Sequence, residues 1–233
     1  MLQRQYYFFG TYFMEEQILD CWVEVARTAA VIFDVGANAG IYSLEALAAH
    51  PTAVVHAFEP TPEIAGWLRG TIELNGLDGL LVHEMAVACE TGRATLRRYR
   101  GETGINEGMN YITHDDGPGC ERISTVRLDE FCQSRGIDYI DLMKLDIQGN
   151  EAAALEGAGR LISDGRIGMI FMELNWGAGP DCPASMALGY LDRAGYVFSA
   201  PGSRLAWRSP GDWLRGLSDV VACAPSRAGL YAS

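Results

Sequence analysis

The segment at residues 31–40 constrains the fold of this chain more than any other. Its apolar residues lead into Asp34, and Gly36 and Gly40 follow with Gly-x-x-x-Gly spacing before a helical stretch that starts at Ile41. This pattern predicts a buried parallel strand that runs into a tight turn and a helix N-terminus. Glycine permits close approach of the backbone, and a helix start offers free N–H groups. We therefore expect a nucleotide-like cofactor to bind on this turn.

The spacing of this turn distinguishes between cofactors. A dinucleotide fingerprint requires Gly-x-Gly-x-x-Gly and a phosphate loop requires Gly-Lys-Ser/Thr, and neither stands here. An aspartate directly before the glycines repels phosphate but pairs with an ammonium group. S-adenosylmethionine has an amino-acid end and no phosphate, so it suits the segment better, with Asp34 at its amino-acid end.

A second acidic residue follows the next predicted strand. The apolar residues 54–58 end at Glu59 and Pro60. A carboxylate at the end of the second strand of such a sheet can accept hydrogen bonds from both hydroxyls of a ribose. Glu59 is thus predicted to bind the ribose, with a solvated loop acid as the simpler alternative.

Several motifs, taken in this order, resemble those of the FkbM-type S-adenosylmethionine-dependent methyltransferases. The similarity covers roughly residues 10–225 and is carried by DVGANAG at 34–40, AFEPTPE at 57–63, Leu74-Asn75, Thr125–Asp129, KLDIQGNE at 144–151 and Phe171-Met-Glu173. One position departs from the family pattern Asp-x-Glu-Gly-x-Glu, because Gln148 stands where the first glutamate is usual. Any role that needs a negative charge at that position is therefore in doubt.

The resemblance implies a Rossmann-like α/β fold with a seven-stranded, mostly parallel sheet, helices on both faces and an antiparallel last strand. It also implies S-adenosylmethionine as the methyl donor and S-adenosylhomocysteine as its product. We expect the cofactor to contact Asp34, Gly36, Ala37, Asn38, Gly40, Glu59, Pro60, Glu84, Ala86 and Asp146.

Alternating apolar strands and helical stretches predict a parallel sheet covered on both faces. Strands are predicted near 31–34, 54–58, 80–83, 140–145, 167–172, 196–199 and 219–224, and helices near 41–49, 62–74, 128–135, 150–162 and 184–194. Residues 1–29 form a partly helical lead-in, and residues 30–233 form a single domain. Residues 86–127 interrupt the alternation as a small β-and-loop insertion, and its polar segment 101–119 is predicted to be a lid.

The catalytic residues are expected at the carboxyl ends of the strands, where open parallel sheets bind their ligands. Asp146 and Glu173 end the fourth and fifth strands and face the transferred methyl or its acceptor. Lys144, the only lysine, shares a face with Asp146 and either handles a proton or forms a structural ion pair. His114, in the predicted lid, is either a further base that reaches the acceptor or a solvated loop histidine. We expect no metal requirement, although Asp146, Glu173 and His114 are suitable ligands for magnesium.

The composition excludes several classes of partner. The net charge is −12, which disfavours nucleic acid because a nucleic-acid binder needs a basic surface. No apolar run approaches the length of a membrane span, and the first residues lack a signal-peptide pattern, so a cytoplasmic protein is expected. The six cysteines are scattered and are expected to be free thiols.

The predicted activity is methylation of a hydroxyl oxygen on a small molecule such as a sugar or secondary metabolite. Three alternatives stay open: a methyltransferase for nitrogen or carboxylate acceptors in a peptide or natural product, an NAD-dependent oxidoreductase, and a binding module without turnover. The acceptor and the oligomeric state are not predictable from the sequence. Tyr111, Trp176, Trp207 and Trp213 lie in segments that either line the acceptor pocket or cover the core.

Overall fold

Thirteen strands and seven helices are seen in the computed structural model, which describes residues 16–98, 100–101, 104–105, 110–113, 115, 117–177, 181–202 and 204–227. The strands are β1 (Val31–Val35), β2 (Val54–Phe58), β3 (Leu80–His83), β4 (Ala86–Val87), β5 (Gly92–Arg97), β6 (Arg100–Gly101), β7 (Gly104–Ile105), β8 (Tyr111–Thr113), β9 (Cys120–Val126), β10 (Ile140–Leu145), β11 (Ile167–Glu173), β12 (Val197–Ser199) and β13 (Asp219–Cys223). The helices are α1 (Glu16–Ala26), α2 (Ile41–Ala49), α3 (Pro62–Asn75), α4 (Leu128–Arg135), α5 (Glu151–Gly157), α6 (Gly159–Ser163) and α7 (Pro183–Arg193). No helix among these residues is long and apolar enough to cross a membrane.

The central sheet has the strand order β12-β13-β11-β10-β1-β2-β3. Its strands run parallel, except that β13 pairs antiparallel with both β11 and β12. The predicted seven-stranded, mostly parallel sheet with an antiparallel last strand is confirmed. Because β1 and β10 are neighbours, the turn after β1 and the acidic end of β10 lie at the same edge of the sheet.

Helix α1 is packed into the core. Trp22 is completely buried, and its indole meets the rings of Tyr42 and Phe171 edge to face at centroid distances of 5.4 Å. Phe171 lies on β11, so this part of the predicted lead-in covers one face of the sheet. The boundary proposed between residues 29 and 30 stays a prediction.

The insertion between β3 and α4 forms a second sheet, with the order β4-β9-β5-β8. A small apolar cluster of Ala86, Leu96 and Ile123 holds it together. The β-and-loop insertion predicted over residues 86–127 thus contains real strands, among them β5 and β9. This second sheet rises beside the end of the central sheet and forms one wall of the site described below.

The helix predicted over 150–162 is interrupted at Ala158. The buried carboxylate of Asp129 accepts hydrogen bonds from the backbone N–H groups of Arg160 and Leu161 at 3.2 and 3.1 Å. It satisfies two free donors at the start of a new helix. A side-chain cap supplied from another helix leaves no local sequence signal, which explains the difference.

Candidate active site

A cleft opens at the carboxyl ends of β1, β2 and β10 and encloses about 570 Å³ of empty space, including the part open to solvent. The central sheet and its loops line this first cleft with Gly36, Asn38, Phe58, Glu59, Pro60, Thr61, Asp146, Ile147 and Gln148. The insertion lines it with Ala86, Val87, Leu96, Asn110, Tyr111 and Ile112. The cleft is therefore where the topology predicts a ligand, and three residues of the predicted lid lie in its wall.

The turn after β1 contacts both neighbouring strands of the sheet, at the end of β2 and at the end of β10. The N–H groups of Gly36 and Ala37 both donate to the carbonyl of Phe58 at 3.0 Å. Gly36 has a φ of +84°, and a Cβ built on it would lie 2.0 Å from the carbonyl oxygen of Asp146. The close approach at Gly36 is thus made by β10 itself. We expected this glycine to admit a cofactor, and the fold already requires it.

Gly40 has a similar structural role at the end of the same turn. Its φ is +80°, and an added Cβ would lie 2.5 Å from a methyl carbon of Leu68 on α3. Between the two glycines, Asn38 adopts a φ of +48°, which is uncommon for a residue with a side chain. Left-handed residues here make a turn that is tight enough to expose its backbone to the first cleft.

Asp34 has partners other than the predicted ammonium group. Its buried Oδ2 accepts hydrogen bonds from the Ser43 backbone N–H at 3.0 Å and from the Ser43 hydroxyl at 2.6 Å. Burial raises the pKa of Asp34 to about 6, although Ser43 and the Lys144 ammonium favour the charged form. Asp34 does not line the first cleft. Its observed role is to anchor the first turn of α2.

Glu59 lines the first cleft with its carboxylate already oriented. Oε2 accepts from the Asn38 N–H at 3.1 Å and Oε1 accepts from the Thr61 N–H at 2.8 Å. Burial raises the pKa of Glu59, while these hydrogen bonds oppose the shift. Each oxygen uses one acceptor position on the backbone and keeps another, so two further hydroxyl donors can be accommodated.

Of the other residues predicted to contact the cofactor, some line the first cleft and some do not. Ala37 is buried below the turn, whereas Pro60 and Ala86 line the first cleft. Glu84 is exposed and pairs with Arg69 on α3 at 2.8 Å, away from the residues that line the cleft. The structure gives Glu84 a surface ion pair, and its contact with the cofactor stays a prediction.

Lys144 lies in a buried ion-pair network. Its Nζ is 3.5 Å from Oδ2 of Asp146 and 3.7 Å from Oδ1 of Asp219, and it lies 5.0 Å from the ring centre of Tyr42. Asp219 begins β13 and pairs in register with Glu173. A buried ammonium group requires such partners, because desolvation without compensation is costly. Lys144 fixes one oxygen of Asp146 at the edge of the first cleft.

Gln148 connects the two predicted catalytic acids. Its Nε2 donates to Oδ1 of Asp146 at 3.2 Å and to Oε2 of Glu173 at 3.0 Å, and Asn175 donates to the same Glu173 oxygen at 3.1 Å. Burial and the nearby Asp146 charge raise the pKa of Glu173 to about 7. The residue that departs from the family pattern is therefore a neutral bridge between two carboxylates.

Glu151 supports this loop from below. Its Oε1 accepts from the backbone N–H groups of Ile147 and Gly149 at 3.3 and 3.0 Å, and from Asn175 Nδ2 at 3.3 Å. Asn150 occupies the N-cap position of α5, but its side chain makes no capping hydrogen bond. The Glu151 carboxylate bonds to N–H groups that precede the helix and thereby holds the Gln148 loop.

Sequence reasoning did not identify Asn175 and Asp219 as part of this cluster. Asn175 follows Glu173 by two positions, a spacing that carries a weak signal. Asp219 opens a strand that the sequence places correctly, but only the antiparallel register brings it opposite Glu173. His114 lies outside the described residues. Within the part of the chain that the structure describes, no group of three or more His, Cys, Asp or Glu residues is arranged to hold a metal ion.

Comparison with known proteins places this geometry in a family. The family model described as "Methyltransferase FkbM domain" matches residues 34–198, which include the turn after β1, Glu59 and the acids of β10 and β11. The chain is 29% identical over 141 residues to 2-O-methyltransferase NoeI of Sinorhizobium fredii (strain NBRC 101917 / NGR234), a match that covers 54% of this chain and 56% of that protein. It is 32% identical over 158 residues to 31-O-demethyl-FK506 methyltransferase FkbM of Streptomyces tacrolimicus, covering 56% and 60% of the two chains. The aligned region thus spans a little over half the length of these relatives.

A solved structure shows the same fold at low sequence identity. Methyltransferase FkbM from Methylobacillus flagellatus KT superposes with a TM-score of 0.54 at 16% identity, covering 83% of this chain and 43% of that one. The family match extends over more than half of the chain, from β1 to β12. The sequence of this chain, the order of its sheet and the acidic residues at the sheet edge all fit this family. The chain belongs to the FkbM methyltransferase domain family.

Proposed function

We propose that this protein is an S-adenosylmethionine-dependent methyltransferase that methylates a hydroxyl oxygen of a small molecule. The observation that carries the proposal is the first cleft, where the oriented carboxylate of Glu59 and the Asp146–Gln148–Glu173 cluster meet at one edge of the sheet. The family membership supports methyl transfer, and the names of both relatives specify oxygen as the methylated atom.

The first cleft fits the donor. Glu59 has acceptor positions left for the two hydroxyls of a ribose, and the apolar side chains of Ala86, Leu96 and Ile112 form a wall suited to a flat base. The backbone of the turn at Asn38 faces the same space. When bound, S-adenosylmethionine supplies an electrophilic methyl group on a positively charged sulfur.

Asp146 is the acid that we assign to the positive charge of the donor. It lines the first cleft, whereas Asp34, which we expected in this role, is committed to Ser43. Lys144 and Gln148 each hold one of its oxygens. A carboxylate fixed from both sides presents a preorganised negative charge to the ammonium group at the amino-acid end of the donor.

Glu173 is the group that we assign to the proton of the acceptor hydroxyl. A general base works best when its pKa lies near the working pH, and burial beside Asp146 raises the pKa of Glu173 to about 7. Gln148 and Asn175 orient the carboxylate from one oxygen. Glu173 then accepts the proton of the acceptor hydroxyl as the acceptor oxygen becomes nucleophilic. The nearby charge of Asp146 helps to hold the pKa of Glu173 in this range. This assignment changes our expectation that Asp146 is the main catalytic acid.

Thermal denaturation with two ligands tests this proposal against an oxidoreductase. A ligand that binds only the folded state raises the unfolding temperature. S-adenosylhomocysteine is expected to raise the midpoint, and NAD is expected to leave it unchanged. Stabilisation by NAD and none by S-adenosylhomocysteine would show that the proposed function is wrong.

A further inference from the structure

A second cleft adjoins the first at Gln148, which lines both. It lies between the residues that follow β11 and those that precede β13, and it encloses about 950 Å³ of empty space, including the part open to solvent. Its walls include Asn175 and Trp176 on one side and Leu217 and Ser218 on the other. Gln148 also donates to Asp146, which lines the first cleft, and to Glu173, which directly precedes the second-cleft residues Leu174 and Asn175.

The lining of this second cleft is polar but uncharged. Every described side chain in its wall is neutral, and its hydrogen-bonding groups are the amides of Gln148 and Asn175 and the hydroxyl of Ser218. Glu173, which precedes the lining residue Leu174, has one oxygen bonded by both amides. An anionic ligand finds no cation in this wall and meets the field of a chain whose net charge is −12.

Trp176 gives the second cleft a flat wall in a fixed orientation. Its Nε1–H donates to the carbonyl of Leu217 at 2.8 Å, so the indole ties one side of the cleft to the other. Trp176 nevertheless remains 37% exposed. An indole of this kind offers apolar area at low entropic cost to the C–H face of a ring.

We propose that the second cleft binds the methyl acceptor as a hydroxyl-bearing ring without an anionic group, stacked on Trp176. The hydroxyl that reacts points toward Gln148 and Glu173, and the other hydroxyls bond to Asn175 and Ser218. The inference rests on the proposed function, because it assigns the acceptor side of the same site. It adds a specificity determinant, Trp176, and a charge requirement that the family match does not supply.

Two methyl glycosides test the charge requirement. Methyl β-D-glucopyranoside is neutral, and methyl β-D-glucuronide carries a carboxylate. Each is titrated into the protein with S-adenosylhomocysteine present, and binding is followed by saturation-transfer NMR. The neutral ring is expected to bind, and the glucuronide is expected to bind at least fivefold more weakly.

Variants at two tryptophans test the location. Trp176→Ala is expected to weaken binding of the neutral ring about five- to tenfold, as the loss of an aromatic contact does. Trp176→Phe, which keeps a flat face, is expected to retain most of the affinity even if Trp176→Ala folds poorly. Trp67→Ala is the matched control, because Trp67 is exposed on α3 and lines neither cleft.

The outcomes separate this inference from the proposed function. Equal or tighter binding of the glucuronide, no binding of the neutral ring, or unchanged affinity in Trp176→Ala overturns the second-cleft assignment. Calorimetry with S-adenosylhomocysteine alone reports on the first cleft. If that titration fails, the proposed function fails with it, whereas a normal titration beside a negative glycoside result removes only the inference about the acceptor.

Discussion

Replacing Gly36 by alanine tests whether the turn after β1 is required by the fold. The added Cβ would lie 2.0 Å from the Asp146 carbonyl oxygen, about 1.4 Å short of the 3.4 Å at which ordinary contact begins. The backbone φ of +84° adds a separate cost, about 1–2 kcal/mol for a residue with a Cβ. Separating β1 from β10 to relieve the overlap adds about 1–3 kcal/mol. The free energy of unfolding is therefore expected to fall by about 2–5 kcal/mol.

Two other glycines isolate these contributions. Gly76 has a φ of +62° with open space around its Cβ position, so Gly76→Ala measures the backbone cost alone. Gly70 lies within α3 with ordinary φ and open space, so Gly70→Ala is expected to stabilise the protein by roughly 0.5–1 kcal/mol. Urea unfolding followed by far-UV circular dichroism gives all three values. If Gly36→Ala costs no more than Gly76→Ala, the contact between the turn and β10 has been misjudged.

Three further predictions concern ionisable groups. The rate of methylation of methyl β-D-glucopyranoside is expected to rise as pH rises through about 7, because Glu173 must lose its proton. Glu173→Gln should remove this rising limb of the pH–rate profile and lower turnover by about 10²–10⁴-fold. In Asp146→Asn the same limb is expected at lower pH, since the Asp146 charge raises the pKa of Glu173; an unmoved pH–rate profile would contradict this coupling. Nδ1 of His56 lies 2.9 Å from Nε2 of His83, and burial lowers the pKa of both imidazoles to about 4. The free energy of unfolding should therefore fall between pH 6.5 and 4, because the unfolded chain takes up protons that the folded chain does not. Urea titrations across that interval check this, and a His56→Gln/His83→Gln variant should lose less.

Much of the fold could be predicted because its signals are local. Apolar strands place β2, β3 and β10 within the boundaries expected from the sequence, and Pro62 marks the start of α3. Interruption of the helix at Ala158 could not be predicted, since the cap comes from Asp129 on a different helix. Local patterns therefore locate elements, whereas contacts between distant elements decide how they end.

The site divides in the same way. Glu59 was recognisable because a strand end places it, and the structure puts it in the wall of the first cleft. Asp34 shows the limit: the sequence shows an acid before a glycine turn, but not that Ser43 captures it. Gln148 departs from the family pattern in the sequence itself. Its bridging of the carboxylates of Asp146 and Glu173 depends on the relative positions of β10 and β11, which the sequence does not show.

Calorimetric titration with S-adenosylhomocysteine is the most direct test of the central claim, that the first cleft binds the methyl donor through Glu59. The wild-type protein is expected to bind one equivalent, and Glu59→Gln is expected to bind about ten- to a hundredfold more weakly, as the loss of a charged hydrogen-bonding partner predicts. Glu73→Gln, an exposed glutamate on α3, serves as the matched control and should bind like the wild type. Circular dichroism confirms that each variant is folded. Absence of binding to the wild type, or wild-type affinity in folded Glu59→Gln, would contradict the account.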